Sequence, residues 1–492
     1  MRRLLRLIRR IVLVVIVAAV ALAGVLLANV LSHGSRQIDV AAVAKAPVDE
    51  TAAAERLAAA IRFRTISEAD NPEANADAFA ALHAHLAESF PAFHAVAKRE
   101  VIGRHALLYT WEGSDPAAAP AAWLAHQDVV PIAPGTEADW LAAPFDGVVR
   151  DGYVWGRGAW DDKGNLFAML EAVESLARDG VRPKRTLYLA FGDDEEVGGR
   201  RGAVEIARTL EARGVRLGYV LDEGLLITDG ILKGIDRPVA LIGVAEKGFA
   251  TIALKATATP GHSSLPPPHT AIGEVATALA RLIAEPFPAT LGGTARQMFD
   301  VLAPEMRFVS RVVLSNLWLF EPLLTRELDR SPTTAAMLRT TMAPTIFNAG
   351  NKDNVLPAHA EAIVNFRLLP GDSGEALLTR LREIAGNRVT VTAQPGNTDP
   401  PPVTSPDSDA YRALNRTIRE IFPGVVVAPG LMVATTDSRH YAGLTDNIFR
   451  FSPVRATQAD LARFHGTNER ISIANYAEMI RFYRRLIEAP AP

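Results

Sequence analysis

The 492-residue chain contains no cysteine. That excludes disulfide staples and thiolate metal sites, so any metal must be held by imidazole and carboxylate groups. A strong charge bias is lacking too. The formal net charge is −3, and five arginines (Arg2, Arg3, Arg6, Arg9, Arg10) with no acid fall within the first 35 residues. The rest of the chain is therefore acidic, and no nucleic-acid partner is expected. Hydrophobic residues make up 49% of the sequence, which rules out wholesale disorder. The chain carries no internal repeat, and its length predicts two domains or more.

Charge is missing altogether from residues 11–31, IVLVVIVAAVALAGVLLANVL. A helix of that length crosses the ~30 Å hydrocarbon core of a bilayer. The arginines before it predict a single pass with the N-terminus cytoplasmic and the body outside. A cleavable signal peptide, giving a secreted form, is the alternative, but its apolar region is ordinarily about 7–15 residues. Residues 1–35 are accordingly read as a membrane anchor and the Ala-rich stretch 36–55 as a tether.

From 56 to 247, short apolar runs alternate with helical patterns. AAWLA (121–125), TLYLAF (186–191) and LGYVL (217–221) read as buried strands, while Leu166, Met169, Leu170, Val173 and Leu176 recur at helical spacing up to Gly180. The alternation predicts an α/β catalytic domain on a mostly parallel sheet. Between 248 and 398 the character changes. FATIALKATA, EAIVNFRLL and RVTVTAQ read as half-solvated strands, interleaved with the helical TAIGEVATALARLIA and GEALLTRLREIAG, which makes an inserted α+β module. Residues 399–492 return to helix–strand alternation and complete the first domain. Within the insertion, 288–345 is long and apolar. Extra helices packed on the module, a wall for a greasy substrate and a membrane-facing surface are its open readings.

FGDDEEVGGR (191–200) sets four carboxylates, Asp193 to Glu196, directly after an apolar run. Like charges ~4 Å apart cost about 1 kcal/mol in water and far more inside a cleft. His126 and Asp128 follow AAWLA, Asp222 and Glu223 follow LGYVL, and Asp161 and Asp162 sit in a Gly-flanked turn of WGRGAWDDKGN (155–165). Ligands of open α/β sheets bind beyond the carboxyl ends of the strands, so these clusters should converge on one crevice. Only metal ions would offset its negative charge. Each pattern alone has a plain structural reading: His-x-Asp is a common surface loop, DDEE suits a helix N-terminus, and His465 in FHGTNERI is a loop histidine. Their joint occurrence carries the inference.

AHQDVVP, WGRGAWDDKG, FGDDEEVGG, VLDEG, GHSSLPP, NVLPAHAEAIVNFRLLPG and FHGTNE together resemble the co-catalytic zinc family that contains aminoacylase, carboxypeptidase S and carnosinase. The anchor and the long insertion are most similar to the branch of carboxypeptidase S and the N-fatty-acyl amino acid hydrolases. The resemblance implies a metallopeptidase fold whose inserted α+β domain is a ferredoxin-like lid and dimerisation domain. It also implies two metals bridged by Asp161, one further held by His126 and Asp222, the other by Glu196 and His465. Such a donor set suits Zn(II), with Co(II) or Mn(II) as alternatives.

Asp128 would orient His126, Asp193 and Asp194 would be structural, and Glu195 would be the general base. By the same resemblance His262 would reach the active site of a partner subunit in a homodimer, Asn354 would be a second donor to the developing oxyanion, and Arg367 and Arg439 would bind a substrate carboxylate. The implied activity is hydrolysis of an amide bond next to a free C-terminal carboxylate, in a peptide or an N-acyl amino acid. A dipeptidase of the same family, a dinuclear phosphoesterase and a noncatalytic anchored binding protein are the alternatives.

Overall fold

The computed structural model describes residues 2–489. Its centre is an eight-stranded sheet in the spatial order Lys98–Ile102, Ala106–Trp111, Leu187–Gly192, Ala121–His126, Tyr219–Thr228, Ile448–Ala456, Val239–Glu246, Val426–Met432. Ala121–His126 runs parallel to both of its neighbours, and Val426–Met432 runs parallel to Val239–Glu246. The sheet is nonetheless mixed: Lys98–Ile102, Ala106–Trp111 and the contact between Ile448–Ala456 and Val239–Glu246 are antiparallel. The expected parallel pairing holds over the four central strands, from Leu187–Gly192 to Ile448–Ala456, and fails on either side of them. Ala106–Trp111 follows its predecessor through a tight turn, and only a crossover connection could have made the pair parallel.

One face of the sheet is covered by Glu50–Ile61, Lys163–Arg178, Asp409–Ile421 and Ile473–Glu488, which share a single apolar core with the strands. Leu166, Met169, Leu170, Val173 and Leu176 all point into that core, as their spacing predicts. Ala203–Ala212 covers the other face through Ile206 and Leu210.

The second sheet is four-stranded and antiparallel, ordered Thr341–Ala349, His359–Leu368, Gly248–Thr257, Thr390–Ala393. Helices Ala271–Ala284 and Gly374–Ala385 pack on it through Val275, Leu282, Leu377 and Leu381. In chain order this is strand–helix–strand–strand–helix–strand, a ferredoxin-like arrangement. Up to Leu338 the apolar stretch 288–345 forms short helices that do not join that core, and from Thr341 it enters the edge strand of the four-stranded sheet. Met298 and Leu302 of Gly293–Leu302 pack instead with Val239, Val426 and Ala428 at one edge of the large sheet.

The same edge receives the segment read as a tether. The Gln37 side chain bonds both backbone groups of Val427, at 2.8 and 2.9 Å, and the Val43 amide donates to the Glu420 carbonyl. An otherwise open edge strand is thereby covered. The helix Glu50–Ile61, capped by Asp49, begins inside the predicted tether. Among the described residues one helix, Arg2–Ser32, is long and apolar enough to cross a membrane.

Candidate metal centre and active site

Parallel neighbours end on the same side, so the carboxyl ends of Ala121–His126 and Leu187–Gly192 open beside each other. His126 is the last residue of its strand, and the 193–196 turn follows the other. The His126 Nε2 lies 3.0 Å from Asp161 Oδ1 and 3.5 Å from Glu223 Oε1. Asp161 Oδ2 in turn lies 2.7 Å from His465 Nε2, which is 3.4 Å from Glu196 Oε2. Two potential metal-holding groups result, His126–Asp161–Glu223 and Asp161–Glu196–His465, with Asp161 common to both.

Asp222, expected beside His126, is turned away from this hollow. Its carboxylate accepts the backbone N–H of Glu223 at 2.9 Å and that of Ser438 at 2.7 Å. Successive side chains of a strand point to opposite sides, and Tyr219–Thr228 continues through both residues. Only one of the adjacent acids can face the hollow, and it is Glu223. The alternation was the available signal, and placing the strand's end at 221 concealed it.

Asp128 does more than hold one ring. His126 Nδ1 lies 2.9 Å from the Asp128 carbonyl and 3.3 Å from its carboxylate, leaving Nε2 as the free donor nitrogen. The same carboxylate accepts the backbone N–H of Glu195 at 3.2 Å and of Glu196 at 3.1 Å. One buried acid therefore positions three side chains of the hollow. Asp194 ties the turn down from behind, accepting from the amides of Arg201 and Gly202. Asp193 is buried, with one carboxylate oxygen lacking a partner among the described residues.

A residue the motif reading left unassigned joins the remaining pieces. Buried Glu469 accepts the backbone N–H groups of Gly158, Trp160 and Asp161 at 2.9–3.1 Å and pairs with Arg157. Arg157 also donates to the carbonyls of His465 and Gly466. The loop carrying Asp161 and the loop carrying His465 are thus clamped to each other. His465 adopts φ of 56°, a left-handed conformation uncommon outside glycine and typical of functional turns. Its location in FHGTNE, four residues after His465, was the signal for Glu469.

The electrostatics follow from this crowding. Burial pulls the His126 imidazole toward neutrality, but Asp128, Asp161 and Glu223 outweigh it and push its pKa well above the usual value. Asp161 and Glu196 raise His465 to about 10. Against the upward pull of burial, His126 and His465 hold Asp161 well below an ordinary aspartate. Burial, with Asp161 beside it, lifts Glu223 to about 7. Burial also raises Glu195 well above its ordinary value, and Asp437, Glu223 and Glu196 add to the effect.

The hollow opens into a cleft of about 820 Å³ lined by Glu195, Glu196, His465, Arg367, Arg439 and Thr435, among others. Arg439 is committed to backbone, donating to Thr436 and Gly198 carbonyls. Arg367 stacks on Phe249 at 4.9 Å and, among the described residues, its one side-chain hydrogen bond is a 3.5 Å contact to the Thr435 hydroxyl. It is the less occupied guanidinium. His262 and Asn354 do not line this cleft. They sit together on the exposed two-stranded ribbon Gly261–His262 with Val355–Leu356, where the Ser263 amide bonds the Asn354 carbonyl.

The donor set fits divalent metal. Two imidazoles and three carboxylates converge with no thiol, and the Glu196 Oε1 is buried without a hydrogen-bond partner among the described residues, as an oxygen reserved for a cation would be.

Comparison with known proteins agrees with this chemistry. A family model described as peptidase family M20/M25/M40 matches residues 122–489. A probable carboxypeptidase S-like 2 from Dictyostelium discoideum is 42% identical over 440 residues, covering 88% of this chain and 84% of its own. The human N-fatty-acyl-amino acid synthase/hydrolase PM20D1 is 39% identical over 447 residues, covering 89% and 88%. Among solved structures, an M20 family metallo-carboxypeptidase from Sulfolobus solfataricus shares the fold with a TM-score of 0.67 at 18% identity, covering 90% of this chain and 99% of that one. Sequence, fold and metal-suited hollow together place the chain in peptidase family M20/M25/M40, as a hydrolase related to its carboxypeptidase S-like and N-fatty-acyl amino acid hydrolase members.

Proposed function

We propose that this hydrolase cleaves the amide bond next to a free C-terminal carboxylate, releasing an amino acid from an N-acyl amino acid or a short peptide. The observation that carries the reading is the little-occupied Arg367 guanidinium in the same cleft as Glu195 and the Asp161-centred hollow. A planar guanidinium binds a carboxylate in a two-pronged, charge-assisted way. Two ions, zinc by the mix of imidazole and carboxylate donors, would be held by His126, Asp161 and Glu223 and by Asp161, Glu196 and His465. They would polarise the scissile carbonyl and acidify a water.

Glu195 serves as the proton carrier. It would take a proton from the attacking water and return it to the departing amine. Asp128 is a positioning residue, since it fixes the Glu195 and Glu196 amides and one nitrogen of His126.

His262 and Asn354 have no role within their own subunit's cleft. They would complete the oxyanion site of a partner copy, with the ferredoxin-like sheet as the dimerisation module. The helix Arg2–Ser32 would be a retained anchor with the catalytic body outside the cytoplasm. The N-fatty-acyl-amino acid synthase/hydrolases among the relatives favour fatty acyl groups over peptides.

The test is turnover of N-acyl amino acids beside their C-terminal amides, with and without chelator. Free substrates should be cleaved and the amides spared. Equal rates on both would refute carboxylate recognition while leaving the hydrolase intact. Mixing His262→Ala with Glu195→Gln subunits should restore activity to the heterodimer, and no recovery in verified mixed dimers would refute the action in trans.

A further inference from the structure

The end of the apolar N-terminal helix is not free. Asn316 donates to the Leu26 carbonyl at 3.1 Å, and its side-chain oxygen accepts from Asn29 at 2.8 Å. Arg311 donates to the carbonyls of Val30 and His33, and the His33 ring lies within 3.0–3.2 Å of the Asp300 carbonyl and the Ser315 hydroxyl. These contacts fix a depth. Leu26 is five residues before Leu31, the last residue of the uncharged run, and at 1.5 Å per residue that is ~7.5 Å inside it. Arg311 meets the helix at residues 30–33 and Asn316 at 26–29, so the chain between them descends alongside the anchor.

Beyond the buried Leu317, the helix that follows Asn316 bares several apolar side chains. Trp318 and Leu323 of Leu317–Leu328 are 61% and 65% exposed, and Leu319, one turn before Leu323, is exposed as well. The Trp318 indole N–H turns back to Asn316, giving the ring one polar end and one apolar end, the arrangement that suits a membrane–water boundary. A depth of about 5–10 Å is where amphipathic helices lie in a bilayer interface.

We propose that Trp318, Leu319 and Leu323 insert into the interface of the same leaflet that the N-terminal helix leaves, so that a phospholipid bilayer, not another protein, covers this face. The insertion then fixes the catalytic body at the membrane surface with one orientation. This rests on residues 11–31 being a retained span, and it is independent of the hydrolytic reaction.

The chain has no cysteine, so single cysteines at Trp318, Leu323, Val17 and Val101 can each carry a nitroxide in the full-length protein. Val101 is an exposed residue on Lys98–Ile102, the opposite edge of the large sheet. In phospholipid nanodiscs holding one copy, the oxygen-to-nickel accessibility ratio should be several-fold higher at 318 and 323 than at 101. The Leu323 site keeps the test valid if Trp318→Cys folds poorly. Water-like values at 318 and 323 with a lipid-like Val17 would overturn the inserted surface and leave the span. A water-like Val17 would overturn both. Protection that appears only with two copies per disc would assign the face to a second chain and overturn the proposal.

Discussion

The hollow around Asp161 and the ribbon carrying His262 and Asn354 both derive from conspicuous motifs, yet the fold treats them oppositely. Five donor side chains from five separated segments meet at the first, clamped by Asp128 and by the Arg157–Glu469 pair. At the second, two polar side chains stand exposed, and His262 bonds only the neighbouring Ser264 among the described residues. A metal site tolerates little displacement and is therefore built on the ends of buried strands, whereas the ribbon, proposed to serve a partner copy, stays at the surface of its own subunit.

The contrast is sharpest at Glu195. Glu195→Gln should keep metal content and lose about 10²–10⁴-fold in turnover, measured as kcat alongside metal analysis. Retained activity would remove the base from the hollow. Glu223→Gln should lower metal affinity by more than the 10–100-fold typical of an outer partner, while Asp222→Asn should leave it nearly unchanged. Occupancy lost at 222 and kept at 223 would reverse the assignment made from the strand's alternation. His262→Ala should cost about 10²–10³-fold in kcat with the melting temperature unchanged, despite the absence of any contact with the cleft of its own subunit. Wild-type turnover in that variant would reduce the ribbon to a surface feature.

Proton linkage separates the two regions again. His465 is raised to about 10 in the folded, metal-free protein and is near 6.5 when unfolded. Its stabilisation is complete below pH 6.5 and is lost as pH rises through 10. Asp193 and Glu223, lifted to about 7, act in the same direction, because their ionisation disfavours the folded state above the ordinary carboxylate range. The melting temperature in chelator should therefore fall between pH 5 and 10, and metal should flatten the profile by taking the place of the protons. A flat chelated profile would contradict the crowding inferred here. Smallest of all, Asp193→Asn should stabilise the metal-free protein by about 1–2 kcal/mol at pH 8 and have little effect near pH 4. His262→Ala should show no such pH dependence.

Much of this was legible in the residues. Strand 121–126 and helix 163–178 announce themselves by apolar runs and by 3.6-residue spacing, and the acids after each strand mark the crevice. The antiparallel members of the large sheet were not legible, since periodicity says nothing of direction. Nor was the fate of 288–345, whose apolar side chains are equally consistent with packing on either sheet. Gln37, which seals the edge strand at Val427, lies 390 positions from its partner with no local pattern to betray it.

Residue types alone determined that the donors are imidazoles and carboxylates, that they follow apolar strands, and that an uncharged run of bilayer length precedes them. Composition and order carry those facts without reference to neighbours. Which of two adjacent acids faces the hollow, and that Glu469 clamps the loops carrying Asp161 and His465, were decided only on folding. Each depends on side-chain direction and on distances between segments hundreds of residues apart, which chain order does not contain.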